Sequence, residues 1–343
     1  MKKTAFGTGK NGEAASLYRI ENQNGMVAEI TDFGATLYSL YVPDKAGKPC
    51  DVVLGCDTPS EYMRVSAGFG ATIGRNGNRI GNASFTLNGK EYQLDKNNNG
   101  NNLHSGIEYY HFRIWEVKEV TENSITFFLH SPDGDQGYPG TFDVKVTYTL
   151  TEDNALQIDY YGISDADTIA NMTNHSYFNL NGHDSGNICG HTLWMDADAF
   201  TATDAELIPT GELALVEGTP MDFRVKKTVG ADMDADYEAL KIGGGYDHNW
   251  CLNNDGKYAK VVEITGEKSG ITMEVYTDLP GVQIYAGNGL GDTPGKRGAV
   301  YQKNAGICFE TQHYPDAIHH ENFPSPICKA GEVYRTRTSY RFL

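Results

Sequence analysis

"TFDVKVTYTL", residues 141–150, alternates apolar and polar side chains over its whole length. Its apolar side chains recur at every second position: Phe142, Val144, Val146, Tyr148 and Leu150. Successive side chains of a β-strand point to opposite faces, so the pattern predicts a strand with one buried and one solvated face. Burial on one face is typical of antiparallel sheets, and the stretch therefore favours an antiparallel β fold.

The same alternation recurs elsewhere in the chain. "ITMEVYT" (271–277) places Ile271, Met273 and Val275 on one face. The 39 glycines and 21 tyrosines suit strands joined by tight turns, since aromatic residues fit pleated surfaces and glycine fits turns. Turn-forming sequences with Gly, Asn and Asp separate the predicted strands: "LNGK" (87–90), "PDGD" (132–135) and "GEKSG" (266–270).

Helices and loops take little of the predicted fold. Short helical turns are expected near 59–64 and 316–322, and the Asn-rich stretch 95–106 is expected to be a surface loop. No linker, repeat or shift in composition divides the chain. The prediction is an all-β fold class: one large antiparallel β-sandwich with few short helices, formed by residues 1–343 as a single domain.

The composition restricts partners and location. The chain of 343 residues carries 45 acidic and 28 basic residues, a formal charge of -17, which disfavours nucleic acid and anionic membranes. Six scattered cysteines indicate reduced thiols. The N-terminal "MKKTAFGTGK" lacks the apolar core of a signal peptide, and no apolar run reaches the ~18 residues of a membrane span. We therefore expect a cytoplasmic protein.

Five polar segments interrupt the apolar pattern and contain candidate functional residues: "GRNGNRI" (74–80), "NNLHSG" (101–106), "TNHSYFNL" (173–180), "GYDHNW" (245–250) and "CFETQHYPDA" (308–317). Each also has a purely structural explanation, such as a turn or a hydrogen-bonded core histidine. Glu310 is the least ordinary of these residues, because it follows Cys308 and Phe309 in a stretch that predicts a buried strand. A buried carboxylate needs a partner or a function.

These segments supply an acid, a base and a set of hydrogen-bonding groups. His175 and Glu310 are the candidate acid and base, and His104 is a second histidine. Further polar groups are Asn78, Arg79, Asp247 and Gln283, with Tyr177 as an aromatic surface. Amides, carboxylates and a guanidinium suit a ligand with many hydroxyls, so the set predicts a sugar site.

Other chemistries have weaker support. The nearby His313, His319, His320 and Glu321 do not form H-E-x-x-H, and adjacent histidines point in different directions, so we expect no metal there. The sequence contains no P-loop, no G-x-G-x-x-G and no G-x-S-x-G.

Eight segments, in order, resemble the aldose 1-epimerase (galactose mutarotase) family. They are "GRNGNRI", "NNLHSG", "SPDGDQGYPG", "TNHSYFNL", "IPTGE", "TPMDFR", "GYDHNW" and "ETQHYPDAIHHENFPS". The resemblance implies a large β-sandwich, no metal or organic cofactor, and interconversion of the α and β anomers of free hexoses. Three departures fall in turns: Ser105 and Ala330 stand where glycine and proline are usual, and Gly77 where alanine is usual.

The resemblance also implies a role for each site residue. His175 corresponds to the general acid, Glu310 to the general base, and His104 to a histidine that assists at the substrate. The remaining substrate contacts would be Asn78, Arg79, Tyr177, Asp247 and Gln283. The active form needs Glu310 ionised and His175 protonated, which predicts a bell-shaped pH dependence. A nearby carboxylate would favour the imidazolium and raise the pKa of His175.

Two other functions stay open at this point. One is an enzyme acting on hexose 6-phosphates, which would need a cluster of basic residues where only Arg79 is found. The other is a catalytically silent sugar-binding module, which the presence of acid, base and assisting histidine disfavours. The sequence ranks no free aldose above another and leaves both a monomer and a homodimer possible.

Overall fold

The structure, a computed structural model, describes residues 2–343. The first fifteen strands are β1 Lys2–Thr8, β2 Ala14–Glu21, β3 Val27–Thr31, β4 Thr36–Pro43, β5 Pro49–Asp51, β6 Ala71–Ile73, β7 Arg79–Ile80, β8 Ser84–Leu87, β9 Lys90–Gln93, β10 Asn102–Leu103, β11 Glu116–Val120, β12 Ser124–Ser131, β13 Phe142–Leu150, β14 Ala155–Ser164 and β15 Thr168–Ile169. The others are β16 Thr173–His175, β17 Tyr177–Phe178, β18 Thr192–Met195, β19 Ala197–Thr203, β20 Pro209–Leu215, β21 Lys227–Thr228, β22 Asp247–Leu252, β23 Ala259–Thr265, β24 Thr272–Thr277, β25 Gly281–Tyr285, β26 Thr293–Pro294, β27 Val300–Tyr301, β28 Ile307–Gln312, β29 Ile327–Cys328 and β30 Val333–Phe342.

Helices are few and short, as predicted. The helix α1, Pro59–Val65, confirms the prediction near 59–64; the Thr58 hydroxyl accepts a hydrogen bond from the Glu61 N–H and caps its first turn. The second predicted region contains only a 3₁₀ turn, Ala317–His319. The helix α2, Glu238–Gly243, was not predicted. Further 3₁₀ turns are Gly81–Ala83, Tyr110–Phe112, Asp135–Gly137 and Lys296–Gly298.

Most strands of residues 2–343 belong to three large sheets, and each pair of neighbouring strands within these sheets is antiparallel. The largest has nine strands in the order β11-β12-β13-β14-β30-β24-β23-β18-β21. The second has six strands in the order β17-β28-β25-β22-β19-β20, and the third has five, β1 to β5 in sequence. The all-β antiparallel fold class is thereby confirmed.

The main hydrophobic core takes its side chains from all three large sheets. The apolar side chains of β13, predicted to share one face, are all fully buried. Phe178 of β17 packs on Tyr340 of β30 with ring centroids 4.8 Å apart, and the Tyr340 hydroxyl donates a hydrogen bond of 3.0 Å to the Phe309 carbonyl. This contact ties the nine-stranded sheet to β28, the strand that contains Glu310.

The stretch 95–106 is only partly the surface loop that the sequence predicted. The second half of the stretch is buried in the protein, including Asn101, Asn102 and Ser105. The Asn102 side-chain amide donates a hydrogen bond of 2.8 Å to the Asp95 carbonyl. The prediction was wrong there because these polar side chains satisfy buried backbone groups instead of water. Among residues 2–343, no helix is long and apolar enough to cross a membrane.

Candidate active site

The buried strand β28 presents different chemistry on its two faces. Side chains two residues apart share a face, so Cys308 and Glu310 point one way and Phe309 points into the core between the sheets. Glu310 is 2% exposed. A strand covered on both faces therefore holds a carboxylate at a fixed position inside the protein.

Strand pairing brings further polar groups to Glu310. Gln283 of β25 is the direct partner of Glu310, and Asp247 of β22 is the partner of Tyr285. The Gln283 amide donates a hydrogen bond of 2.7 Å to Asp247 Oδ1, and the Arg79 guanidinium lies 3.7 Å from Asp247 Oδ2. The register of three neighbouring strands thus assembles Glu310, Gln283 and Asp247, and Arg79 joins them from β7 in a separate two-stranded sheet.

His175 ends β16, which pairs with β6 and approaches Glu310 from a neighbouring sheet. Its Nε2 atom lies 3.5 Å from Glu310 Oε1. The ring centroids of Tyr177 and His175 are 5.1 Å apart. On the Gly68 side, a Cβ atom added at Gly68 would lie 3.6 Å from the His175 imidazole. The imidazole is therefore held with its Nε2 edge toward the carboxylate.

His104 is held by Asn78 through two backbone hydrogen bonds. The Asn78 N–H donates to His104 Nδ1 at 3.1 Å, and the His104 N–H donates to the Asn78 carbonyl at 3.1 Å. An imidazole nitrogen that accepts an N–H is unprotonated, so the ring proton of neutral His104 is on Nε2. The centroid of the His104 ring lies 5.4 Å from that of His175, so His104 places a hydrogen-bond donor beside His175 and Glu310.

These residues enclose a cavity of about 190 Å³. Its lining consists of Asn78, Arg79, Leu103, His104, His175, Asp247, Gln283, Tyr285 and Glu310. Within the described part of the chain, Glu310 Oε2 and Gln283 Oε1 are buried without a hydrogen-bond partner. Both atoms are acceptors, so the cavity suits a ligand that brings donors, as hydroxyl groups do.

A second cavity of about 340 Å³ adjoins the first and shares His104, His175 and Tyr285 as lining residues. Tyr177 lines this second cavity, and its hydroxyl donates to the Ala67 carbonyl at 2.9 Å. The structure thus brings all predicted site residues together, with Tyr177 beside His175 and outside the lining of the smaller cavity. Sequence reasoning missed Tyr285, although its position two residues after Gln283 places it on the same strand face.

Burial shifts His175 and Glu310 toward their neutral forms. It lowers the pKa of His175 to about 4, although the backbone carbonyl of His175 and the Asp247 carboxylate act in the opposite direction. Burial, assisted by Asp247, raises the pKa of Glu310 well above its ordinary value, against the effect of Arg79. The expected rise in the pKa of His175 is therefore wrong for the unliganded protein, because desolvation outweighs the neighbouring carboxylate.

His104 is also neutral in this environment. Burial, together with the positive charges that His175, His111 and Arg79 would carry, lowers the pKa of His104 well below its ordinary value. This agrees with the tautomer that its hydrogen bond to Asn78 requires. His104 can therefore donate a hydrogen bond from Nε2 without being an acid.

Two histidine clusters contain atoms that could ligate a metal ion. Ligand atoms of His104, His175 and Glu310 lie within 4.8 Å of one another, but His104 already uses its unprotonated nitrogen to accept the Asn78 N–H. In the other cluster, His319 Nδ1 lies 2.6 Å from Asp316 Oδ1, which also accepts the Gly81 N–H. The first set has the hydrogen-bonding pattern of an organic-ligand site, and the second is a structural pair.

Comparisons with known proteins identify relatives over nearly the whole chain. A family model described as aldose 1-epimerase matches residues 16–341. A galactose mutarotase from Sus scrofa is 40% identical over 344 residues, covering 100% of this chain and 98% of that protein. An aldose 1-epimerase from Haemophilus influenzae is 39% identical over 346 residues, covering 100% and 99%. A solved aldose epimerase homologue from C. elegans is 33% identical with a TM-score of 0.89, covering 96% of this chain and 99% of that one.

Proposed function

The chain belongs to the aldose 1-epimerase family, and we propose that Glu310 and His175 are the base and the acid of its reaction. The protein is an enzyme that interconverts the α and β anomers of free hexoses. The proposal rests mainly on one observation: a buried carboxylate and a buried imidazole, 3.5 Å apart, line one cavity whose unpartnered atoms are acceptors.

Ring opening follows from the two groups acting together. The Glu310 carboxylate takes the proton of the hydroxyl on C1, while the His175 imidazolium gives its Nε2 proton to the ring oxygen O5. The C1–O5 bond breaks and an open-chain aldehyde forms. Rotation about the C1–C2 bond presents the other face of the aldehyde, and the reverse proton transfers close the ring as the opposite anomer. No atom or electron is gained or lost.

Burial of the pair assists this cycle. The ionised pair and the neutral pair contain the same number of protons, so the environment, and not pH, decides between them. Ring opening converts the ionised pair into the neutral pair that burial favours. The same burial that shifts both pKa values therefore lowers the free energy of the enzyme with the open-chain sugar.

The remaining polar groups suit the hydroxyls of a neutral sugar. Gln283 Oε1 is free to accept a sugar hydroxyl, and His104 Nε2–H is free to donate to one. The only lysine or arginine in the lining of either cavity is Arg79, which faces Asp247. A 6-phosphate would enter beside the carboxylates of Asp247 and Glu310, so a free aldose is the better substrate.

Polarimetry on freshly dissolved sugars tests the proposal. The enzyme should accelerate mutarotation of α-glucose and α-galactose, and leave glucose 6-phosphate near its spontaneous rate. Glu310→Gln and His175→Gln should each abolish most of the acceleration. His130→Gln, a matched change at an exposed histidine of the nine-stranded sheet, should not. Full activity in either site variant would contradict the assigned roles, and faster turnover of the phosphate would favour the alternative enzyme.

We propose three further properties of the protein: its domain organisation, its location and the partners it lacks. We infer one domain over residues 1–343, because the main core draws on residues from Tyr18 to Phe342. We infer a cytoplasmic location from the six scattered cysteines, which suit a reducing compartment. We also infer that neither nucleic acid nor a membrane is a partner, because the charge of -17 repels both.

A further inference from the structure

Cys308 contacts the side of His175 that faces away from Glu310. Its Sγ atom lies 3.5 Å from His175 Nδ1, and the side chain is fully buried. Cys308 and Glu310 are two residues apart on β28, so one strand contacts both nitrogens of the imidazole. The pairing of Cys308 with Tyr177 fixes the thiol in register with the segment that follows His175.

We propose that Cys308 is a positioning residue for His175: its sulfur accepts the Nδ1–H and keeps Nε2 directed at the substrate. The inference rests on the proposed role of His175 as the acid. For His175 to release a proton from Nε2 and later take it back, the other ring proton must stay on Nδ1 throughout. A thiol sulfur opposite Nδ1 provides an acceptor for that proton at each step of the cycle.

The properties of the thiol suit this role. Burial raises the pKa of Cys308 well above its ordinary value, so the group is a neutral thiol and not a thiolate. A carboxylate in the same place would be a stronger acceptor, and would stabilise the imidazolium against giving up its proton. The weaker sulfur acceptor orients the ring while it leaves His175 a ready proton donor.

Substitution of Cys308 tests the inference. Cys308→Ala removes the acceptor and should lower kcat about 2- to 10-fold, the effect of one ordinary hydrogen bond, with KM nearly unchanged. Cys308→Ser restores an acceptor and should recover most of the lost kcat. In the Ala variant the imidazolium loses a partner, so the pKa of His175 falls. His175 has the lower pKa of the Glu310–His175 pair, so the acid limb of the pH profile follows it and moves to lower pH.

Cys56→Ala is the matched control. Cys56 is also buried, but it contacts the Pro294 carbonyl and lines neither cavity, so its substitution should leave kcat per folded molecule unchanged. The inference fails if Cys308→Ala matches this control in kcat and pH profile, or if Cys308→Ser is no better than Cys308→Ala. Full activity of His175→Gln would instead refute the proposed acid, so the two failures are distinguishable.

Discussion

Glu310→Gln should make the protein inactive and more stable at the same time. The amide has nearly the shape of the carboxylate but cannot take the proton of the hydroxyl on C1. Loss of general-base catalysis should lower kcat by about 10²–10⁴-fold, which corresponds to roughly 3–5 kcal/mol of activation free energy. Folding should improve because the variant no longer buries an ionisable group whose charged form is disfavoured by burial.

The stabilisation has a predictable pH dependence. Burial raises the pKa of Glu310 in the folded protein, so its protonated form favours folding at low pH. That contribution is fully present below the unfolded-state pKa and is lost as pH rises through the folded-state pKa. Glu310→Gln removes this loss. Its free energy of unfolding should exceed that of the parent by an amount growing with pH, at up to about 1.4 kcal/mol per pH unit in this window.

Urea unfolding of both proteins at pH 5, 6 and 7, with mutarotation measured on the same samples, tests both effects. Glu274→Gln is a matched control, because Glu274 is also buried but bonds Lys260 at 3.0 Å and the Tyr276 hydroxyl at 2.9 Å. The control should lose a little stability or none, and stay active. A Glu310→Gln protein whose stability difference from the parent is negative, or constant between pH 5 and 7, would refute the reasoning.

Three further predictions concern the same site. His175→Gln should fold normally and lose about 10²–10⁴-fold in kcat with little change in KM. Polarimetry at several sugar concentrations measures both constants, and an easily unfolded variant with parental activity would contradict the prediction. The profile of kcat/KM from pH 4 to 9 should be bell-shaped, with both limbs belonging to the Glu310–His175 pair, and a flat profile would oppose this pair. Asp247→Asn should raise KM about 10- to 100-fold, because the Gln283 amide loses a charged acceptor at 2.7 Å. An unchanged KM would exclude a role of Asp247 in substrate binding.

The parts of the fold that depend on local pattern could be predicted from sequence. Strand β13 was predicted because alternation needs no knowledge of distant residues. The helix α2 was missed because it has six residues and begins after Tyr237 without a side-chain cap. The central position of β30 in the nine-stranded sheet, between β14 and β24, depends on long-range pairing that no local pattern contains.

The same distinction applies to the site. Cys308 and Tyr285 lie two residues from predicted site residues on the same strands, so alternation alone could have identified both. The sign of the shift in the pKa of His175 could not be predicted, because it depends on how deeply the assembled sheets bury the ring. The reason for a serine at position 105 could not be predicted from sequence either. Ser105 has a φ of 71°, a backbone conformation that suits glycine. Its hydroxyl offsets the strain by accepting a hydrogen bond from the Asn76 N–H at 2.7 Å.

The placement of β30 has a consequence for how the enzyme is made in the cell. Residues 333–342 form the middle of the nine-stranded sheet, so β14 and β24 have no common partner until this segment has left the ribosome. The Tyr340 hydroxyl in the same segment holds the Phe309 carbonyl, next to Glu310. A nascent chain that ends before residue 340 therefore lacks the contact that fixes the strand of Glu310, and mutarotation should first appear only after this segment has been synthesised.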